Sequence, residues 1–210
     1  MSSRLAGLNP LHCAAALLLI AVLAGCGGKA PKLPKLGASD VIVAFGDSLT
    51  YGTGAQEQES YPAVLALLTG RQVIRAGVTG EVTAQSLSRL PEVIAEHQPR
   101  LMIVCLGGND MLRKMNETET RANLRVIIKT IREHGIAVVL VGVPRPALLA
   151  SPPEFYGELG KEFGIPYESG VLKAVLYSTD MKSDAIHPNA KGYRRMAEAV
   201  AELLRKSGAI

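Results

Sequence analysis

Three side chains in this 210-residue sequence have the types and spacing needed for nucleophilic chemistry on a carbonyl group. Ser48 follows a short apolar run, where a helix is expected to begin, so its hydroxyl and its own N–H would lie together at a sheet edge. Asp184 precedes His187 by three residues, so its carboxylate can reach Nδ1 and leave Nε2 free as a base. The alternative remains open that Asp47, Ser48, His187 or Asn189 simply caps a helix.

Two further loops carry possible donors to a developing oxyanion. Gly80 could bring a bare backbone N–H close to a substrate oxygen, although glycine in a tight turn is the commoner case. Asn109 could aim its side-chain NH₂ into the same site, although Asn and Asp also favour turns. Taken alone, each loop favours the turn interpretation, and the case for oxyanion donors depends on the combined pattern.

Alternating strand and helix patterns predict how these loops come together. Apolar runs typical of buried strands, each followed by glycine, lie at 41–45, 72–76, 101–106 and 136–141, with a weaker fifth strand near 165–167. Helical patterns lie at 61–68, 83–97, 117–134 and 188–204. The order predicts an α/β fold, a three-layer α/β/α sandwich with a central, mostly parallel five-stranded sheet of flavodoxin-like type. Ligands of such sheets bind beyond the carboxyl ends of the strands, where all these loops lie.

In chain order the loops resemble, block for block, the SGNH hydrolases of the GDSL esterase/lipase superfamily. The matching blocks are Gly46-Asp-Ser-Leu49, Gly80, Gly107-Gly-Asn-Asp110 and Asp184-Ala-Ile-His-Pro188. The resemblance extends from residue 41 to about residue 193. It is strongest to the bacterial thioesterase I/arylesterase/lysophospholipase branch, through the stretches 89–91, 97–100 and 187–193. The sequence departs from that branch at Thr79, where serine is usual.

The resemblance implies a serine esterase that hydrolyses carboxylic ester or thioester bonds of acyl substrates. Ser48 would attack the carbonyl carbon, and His187 would take the Ser48 proton and return it to the leaving group. Asp184 would orient His187. The oxyanion hole would consist of the Ser48 N–H, the Gly80 N–H and the side-chain amide of Asn109.

No cofactor and no metal ion are implied for this chemistry. Asp47 is expected to support the nucleophile loop without taking part in the reaction. The four histidines show no ligand-like pairing. Cys105 lies inside the apolar run 101–106, which is typical of an inert core cysteine.

The N-terminal segment predicts export and lipid anchoring. Residues 1–25 have a short positive start and an apolar run of about 11 residues, too short to cross a bilayer, as in a secretory signal peptide. The run ends in Leu23-Ala-Gly-Cys26, which resembles the lipobox of bacterial lipoproteins and implies lipidation of Cys26. Residues 26–38 are expected to form a flexible tether, and 39–210 the hydrolase domain.

Composition limits the partners. The net charge is only +4, no run of five Lys/Arg occurs, and aromatic residues make up 4%, so a nucleic-acid surface is not indicated. We expect a small acyl-ester or thioester substrate, membrane attachment through the lipid anchor, and a monomeric catalytic domain. Gly27, following Cys26, favours the outer membrane or periplasm of a bacterial cell envelope.

Three alternatives remain at this stage. A flavodoxin-like phosphate or FMN binder would also use polar loops after parallel strands, but the first loop lacks a run of Ser/Thr and few aromatics could stack a flavin. A non-catalytic surface lipoprotein on this scaffold would be expected to have damaged catalytic positions. A carbohydrate O-acetylesterase, acting on cell-wall glycans, would use the same constellation as the acyl esterase.

Overall fold

A computed structural model describes residues 31–146 and 151–210 of the chain. The expected signal peptide, the candidate lipidation residue Cys26 and the first part of the expected tether lie outside these residues. Within the described part, no helix combines the length and the apolar character that crossing a bilayer requires.

The centre of the fold is one parallel sheet in the order β2-β1-β3-β4-β5. Its strands are β1 Val41–Gly46, β2 Gln72–Gly77, β3 Leu101–Cys105, β4 Ala137–Val141 and β5 Tyr167–Glu168. The continuously apolar β3 is buried along its whole length, as expected of a strand covered on both faces. Gly46 is level with Gly77 and Cys105, so the loops after β1, β2 and β3 start from one edge.

Helices cover the sheet in two layers. They are α1 Ser48–Tyr51, α2 Tyr61–Thr69, α3 Thr83–His97, α4 Gly108–Leu112, α5 Glu117–Glu133, α6 Glu154–Phe163, α7 Val171–Tyr177 and α8 Ala190–Lys206. A short 3₁₀ turn spans Glu57–Glu59. In one layer α3, α5 and α6 pack successively, and in the other α2 and α7 pack against α8. The predicted three-layer α/β fold is confirmed, with a sheet that is entirely parallel.

The four helices predicted from hydrophobic periodicity are present within a few residues of their expected bounds. Helices α6 and α7, which flank the short β5, were not among the predicted helices. Strand β5 begins at Tyr167, two residues later than the predicted start, and pairs only with Leu140 and Val141.

Part of the expected tether is bound to the domain. The backbone N–H groups of Leu33 and Leu36 donate to the carbonyls of Ser207 and Ala209, at 2.9 and 2.8 Å, just beyond α8. The Leu36 side chain is only 2% exposed, and its carbonyl accepts a hydrogen bond from Arg71. The predicted tether and the folded domain therefore overlap at residues 33–36.

A chain that begins at residue 39 should be less stable than one that begins at residue 31, by about 2–3 kcal/mol, because it exposes the pocket that Leu36 fills. Urea unfolding of both chains measures the difference. Leu36→Ala in the longer chain is the matched control and should reproduce most of the loss. Equal stabilities of the two chains would mean that residues 33–36 do not contribute to the fold.

Candidate active site

The strand-to-helix turn after β1 presents Ser48 as the first residue of α1. Asp47 caps this helix, since its Oδ1 accepts a hydrogen bond from the Leu49 N–H at 3.0 Å. The Ser48 N–H, as the first amide of the helix, has no acceptor within it. A Cβ at Gly46 would overlap the Cys105 carbonyl and the Thr50 side chain, so only glycine allows the turn to lie this close to β3.

The loop before α8 brings His187 to Ser48. Its Nε2 lies 3.0 Å from the Ser48 Oγ, and its Nδ1 lies 2.7 Å from Oδ2 of Asp184. The other carboxylate oxygen of Asp184 accepts hydrogen bonds from the backbone N–H groups of Ile186 and His187, each at 2.8 Å. A neutral imidazole that donates from Nδ1 to Asp184 has an unprotonated Nε2, which can accept the Ser48 proton.

The surroundings of Asp184 keep it ionised. Its partial burial raises the pKa of the carboxyl, but hydrogen bonds from the His187 ring and from two backbone N–H groups outweigh this, so the pKa lies below its ordinary value. A carboxylate in this state holds the Nδ1–H of His187 and is placed to stabilise an imidazolium.

Helix capping in this loop is done by a different residue. Oδ1 of Asn189 accepts a hydrogen bond from the Gly192 N–H at 3.1 Å and caps α8. His187 is therefore not used as a cap, and its ring faces Ser48. In the turn after β1, both interpretations hold: Asp47 caps α1, and Ser48 is the first residue of that helix and faces His187.

The two candidate oxyanion donors are placed differently. Asn109, in α4, lines the same cavity as Ser48 and His187. Its Nδ2 donates to the Glu81 carbonyl at 3.0 Å and, more weakly, to Oδ2 of Asp47 at 3.3 Å. Gly80 adopts φ +78°, a conformation that favours glycine, and does not line the cavity. Its N–H donates no hydrogen bond within the described part of the chain.

The carboxyl of Asp47 is almost completely buried. Burial raises its pKa from the ordinary 3.8 to about 7; the hydrogen bond from the Leu49 N–H opposes this rise, and the nearby carboxylates of Asp110 and Glu81 add to it. Asp47 therefore titrates near neutral pH in the folded chain and near pH 3.8 in the unfolded chain.

The free energy of unfolding should fall as the pH rises from about 4 to about 7. In this range the folded chain binds the Asp47 proton more tightly than the unfolded chain does, so raising the pH favours the unfolded chain. The difference between the two pKa values corresponds to about 4 kcal/mol. Urea unfolding at pH 4 and pH 8, for the wild type and Asp47→Asn, measures it. The variant should lack this part of the pH dependence, and identical pH profiles would contradict the burial of an ionisable Asp47.

Two groups that support the site had no role in the sequence analysis. The buried Tyr193 of α8 donates to the Thr53 carbonyl at 2.7 Å and so holds the chain that follows α1. An ion pair joins the buried Glu81, next to Gly80, to the partly buried Arg89 of α3. Both Arg89 and Tyr193 lie in stretches that resemble the hydrolase branch, which was the only signal for them in the sequence.

A cavity of about 680 Å³ opens beside Ser48, within the range of small-molecule sites. Its apolar wall includes Leu49, Leu112, Val143, Leu176 and Ile186, and its cationic side chains are Arg145, Lys173 and Lys182. Arg145 is paired with Glu117 at 2.5 Å, and Lys173 donates to Ser151 at 3.0 Å. The cavity thus joins a nucleophile, an apolar surface and positive charge.

In the part of the chain that the structure describes, no group of three His, Cys, Asp or Glu side chains could hold a metal ion. Cys105 is fully buried, and its burial, together with the nearby Asp47, holds the pKa of the thiol well above its ordinary value. A protonated, inaccessible thiol is a poor nucleophile, and Cys105 does not line the cavity, so Cys105 is not a candidate for nucleophilic chemistry there.

Similarity to characterised proteins extends over most of the chain. It is 30% identical over 176 residues to "Thioesterase 1/protease 1/lysophospholipase L1" of Escherichia coli (strain K12), covering 80% of this chain and 85% of that protein. It is 29% identical over 180 residues to "Arylesterase" of Vibrio mimicus, covering 80% and 90%.

Solved structures agree with the sequence matches. A crystal structure of TesA superposes with a TM-score of 0.70 at 26% identity, covering 79% of this chain and 98% of that one. The SGNH-hydrolase family esterase AlinE4 gives a TM-score of 0.63 at 34% identity, covering 82% and 98%. The model of the GDSL-like Lipase/Acylhydrolase family matches residues 44–195, a range that includes Ser48, Asn109 and His187. The chain therefore belongs to the GDSL-like lipase/acylhydrolase family and is an SGNH hydrolase of the esterase or thioesterase type.

Proposed function

We propose that this hydrolase cleaves carboxylic ester or thioester bonds of acyl substrates through a Ser48–His187–Asp184 triad. The observation that carries the proposal is the continuous hydrogen-bond chain from the Ser48 Oγ through the imidazole to Asp184, with spacings of 3.0 and 2.7 Å, beside a cavity of substrate size. Hydrogen-bond contact between nucleophile, base and orienting carboxylate is what activation of a serine requires.

The first half of the reaction transfers the acyl group to the enzyme. Ser48 Oγ forms a bond to the carbonyl carbon while its proton passes to Nε2 of His187, and the carbonyl oxygen becomes an oxyanion. As the tetrahedral intermediate collapses, the bond to the leaving alcohol or thiol breaks and Nε2 returns the proton to that group. The product is an ester of Ser48 and the released alcohol or thiol.

The second half regenerates the enzyme with water. Nε2 of His187 takes a proton from a water molecule, whose oxygen bonds to the acyl carbon, and then protonates the Ser48 Oγ as the acyl–oxygen bond breaks. In both halves Asp184 stabilises the imidazolium. The Ser48 N–H, the Gly80 N–H and the Asn109 amide are the proposed donors to the oxyanion, and Asp47 supports the nucleophile loop.

The apolar lining of the cavity supports an acyl chain as the substrate group. Leu49, Leu112, Val143, Leu176 and Ile186 offer apolar contact to a hydrocarbon, most of which an acetyl group would leave unused. The relatives named for thioesterase, lysophospholipase and arylesterase activity support the same choice. A carbohydrate O-acetylesterase is the second candidate, because its reaction would need the same triad.

A substrate series tests this proposal. Hydrolysis should be measured for p-nitrophenyl esters of increasing chain length, acyl thioesters and acetylated sugars, with Ser48→Ala as the blank. We expect the highest kcat/KM for an acyl ester or thioester longer than acetyl. Activity confined to acetylated sugars would replace the proposed substrate class with the second candidate. Absence of hydrolysis of every substrate would favour a non-catalytic lipoprotein.

We further propose that the protein is a lipoprotein of the bacterial cell envelope, anchored through acyl chains on Cys26. The apolar run and the Leu23-Ala-Gly-Cys26 sequence support this. Acyl chains on one cysteine would attach the protein stably to the membrane, so the folded domain needs no inserting surface of its own.

Cys26→Ser should abolish incorporation of labelled palmitate and leave uncleaved precursor or unanchored protein, because the thiol is the proposed acceptor. Metabolic labelling and cell fractionation in a bacterial host measure both results. Lys29→Ser is the matched control and should be labelled and fractionate like the wild type. Labelling of Cys26→Ser at the wild-type level would contradict the assignment.

A further inference from the structure

One arginine contacts two of the loops that form the candidate site and is linked to a third. Arg89 lies in α3, and its side chain is 21% exposed. Its Nε donates to Oε1 of Glu81 at 2.7 Å, and its Nη2 donates to Oε2 of the same residue at 2.8 Å. This two-pronged contact fixes the direction of the carboxylate as well as its distance.

The same guanidinium is held against the ends of the first two strands. Its Nη2 also lies 3.2 Å from the Gly46 carbonyl and 3.0 Å from the Ala76 carbonyl. The guanidinium Cζ lies 4.3 Å from the centre of the buried Phe45 ring, in a cation–π contact. Arg89 therefore takes its position from the ends of β1 and β2, and its contact at the end of β1, Gly46, lies two residues before Ser48 in the chain.

Glu81 is connected to both proposed oxyanion donors that lie outside the nucleophile loop, Gly80 and Asn109. Its side chain is buried and also accepts a hydrogen bond from Ser86 at 2.6 Å, so both carboxylate oxygens are engaged. Its backbone carbonyl accepts the stronger hydrogen bond of the Asn109 amide, at 3.0 Å. Gly80 is its neighbour in the chain.

We infer that Arg89 is a positioning residue of the oxyanion hole, acting through Glu81 to fix Gly80 and Asn109 relative to Ser48. The inference rests on the proposed function. An ion pair far from any site would serve the fold alone. Here Arg89 is bound to the end of β1, just before the nucleophile, and Glu81 is bound to the loop that carries Asn109.

The contacts need an arginine. A lysine supplies a single charged nitrogen, which cannot donate to both Glu81 oxygens and to two strand carbonyls while stacking on Phe45. Oxyanion donors act on charge that exists only in the transition state, so a shift in their position lowers kcat and leaves KM nearly unchanged. A shift of about 1 Å can cost about 100-fold in rate, and we expect at least about a tenfold loss of kcat for Arg89→Lys.

The test compares kcat per active site in the full chain for the wild type, Arg89→Lys and Glu81→Gln. A fluorophosphonate counts the sites that react at Ser48, and circular dichroism measures the folded fraction. A reversible trifluoromethyl ketone, whose adduct with Ser48 carries an oxyanion, reports on the hole without turnover. We expect both variants to lose at least about tenfold in kcat, with KM within about twofold and weaker ketone binding in proportion to kcat/KM.

Val200→Ala is the matched control, because it removes buried atoms from α8 without touching the site. It should lower the thermal midpoint and leave kcat per site unchanged. A kcat per site within about threefold of wild type in both Arg89→Lys and Glu81→Gln would overturn the inference, and so would failure of both variants to fold, which would make the pair a stabilising element only. If the wild type itself neither hydrolyses esters nor is labelled at Ser48, the proposed function fails.

Discussion

Replacing Ser48 with alanine should abolish ester hydrolysis and leave the fold intact. The substitution removes the only atom that can bond to the acyl carbon, and loss of the nucleophile from a triad costs about 10⁶-fold in kcat. The hydroxyl's one side-chain partner is Nε2 of His187, at the cavity wall, so its loss should change the free energy of unfolding by no more than about 1 kcal/mol. Steady-state kinetics and urea unfolding of the same preparation measure both results.

The matched control is Ser60→Ala. Ser60 is buried, as Ser48 is, but its hydroxyl donates to the Glu57 carbonyl at 2.7 Å and faces no base. A fluorophosphonate should label the wild type and Ser60→Ala at Ser48, and it should not label Ser48→Ala. Residual hydrolysis by Ser48→Ala above about 1% of wild type, or labelling at Ser60 or Ser86, would contradict the proposed nucleophile.

The sheet was predictable because its strands are short, apolar and followed by glycine. Burial on both faces removes the polar alternation of a half-exposed strand, which leaves a continuous signal in β1, β3 and β4. The long helices α3, α5 and α8 were equally visible, because each has one apolar face repeated over at least four turns. Since the strands are parallel, these elements alone place the functional loops at one edge.

Helix α6 was not predictable from local sequence, because it contains Gly157 and Gly160, which disfavour a helix. The structure supplies the reason for Gly160: a Cβ there would lie 3.2 Å from Cβ of Tyr167 in β5. Helix α6 and strand β5 thus depend on packing against each other, and neither has a strong sequence pattern of its own. In turn, Tyr156 of α6 donates to the Leu106 carbonyl at 2.7 Å, just before the loop of Asn109.

For the candidate site, spacing predicted the local contact and missed the distant ones. Asp184 and His187 are three residues apart, so their pairing follows from one loop. The contact between Arg89 and the Gly46 carbonyl spans 43 residues and depends on how α3 packs against β1. Burial of Leu36 likewise depends on the end of α8, which lies at the other end of the chain. Long-range contacts of this kind have no periodic signature in the sequence.

The side-chain amide of Asn109 separates the SGNH arrangement from a generic Ser–His pair. In the structure its Nδ2 is oriented by the Glu81 carbonyl at 3.0 Å, and its weaker hydrogen bond, at 3.3 Å, goes to Oδ2 of Asp47 beside the nucleophile. We expect the substrate oxyanion to replace Asp47 as the acceptor of this second N–H. A generic pair would need no donor from the loop after β3.

Asn109→Ala should therefore lower kcat by about 10²–10³-fold, which is the usual cost of removing one oxyanion-hole donor, while KM changes little. The lost hydrogen bond to Glu81 should cost about 1 kcal/mol of stability, so the protein remains folded. Asn109→Asp should be at least as damaging, because it places a negative charge beside both the oxyanion and Asp47.

The matched control is Asn116→Ala, which removes the side-chain cap of α5 at a similar cost in stability but lies outside the site. It should keep wild-type kcat per labelled site. If Asn109→Ala lost less than about fivefold in kcat per labelled site, Asn109 would be a turn residue, and the Ser48 and Gly80 N–H groups would be the remaining oxyanion donors.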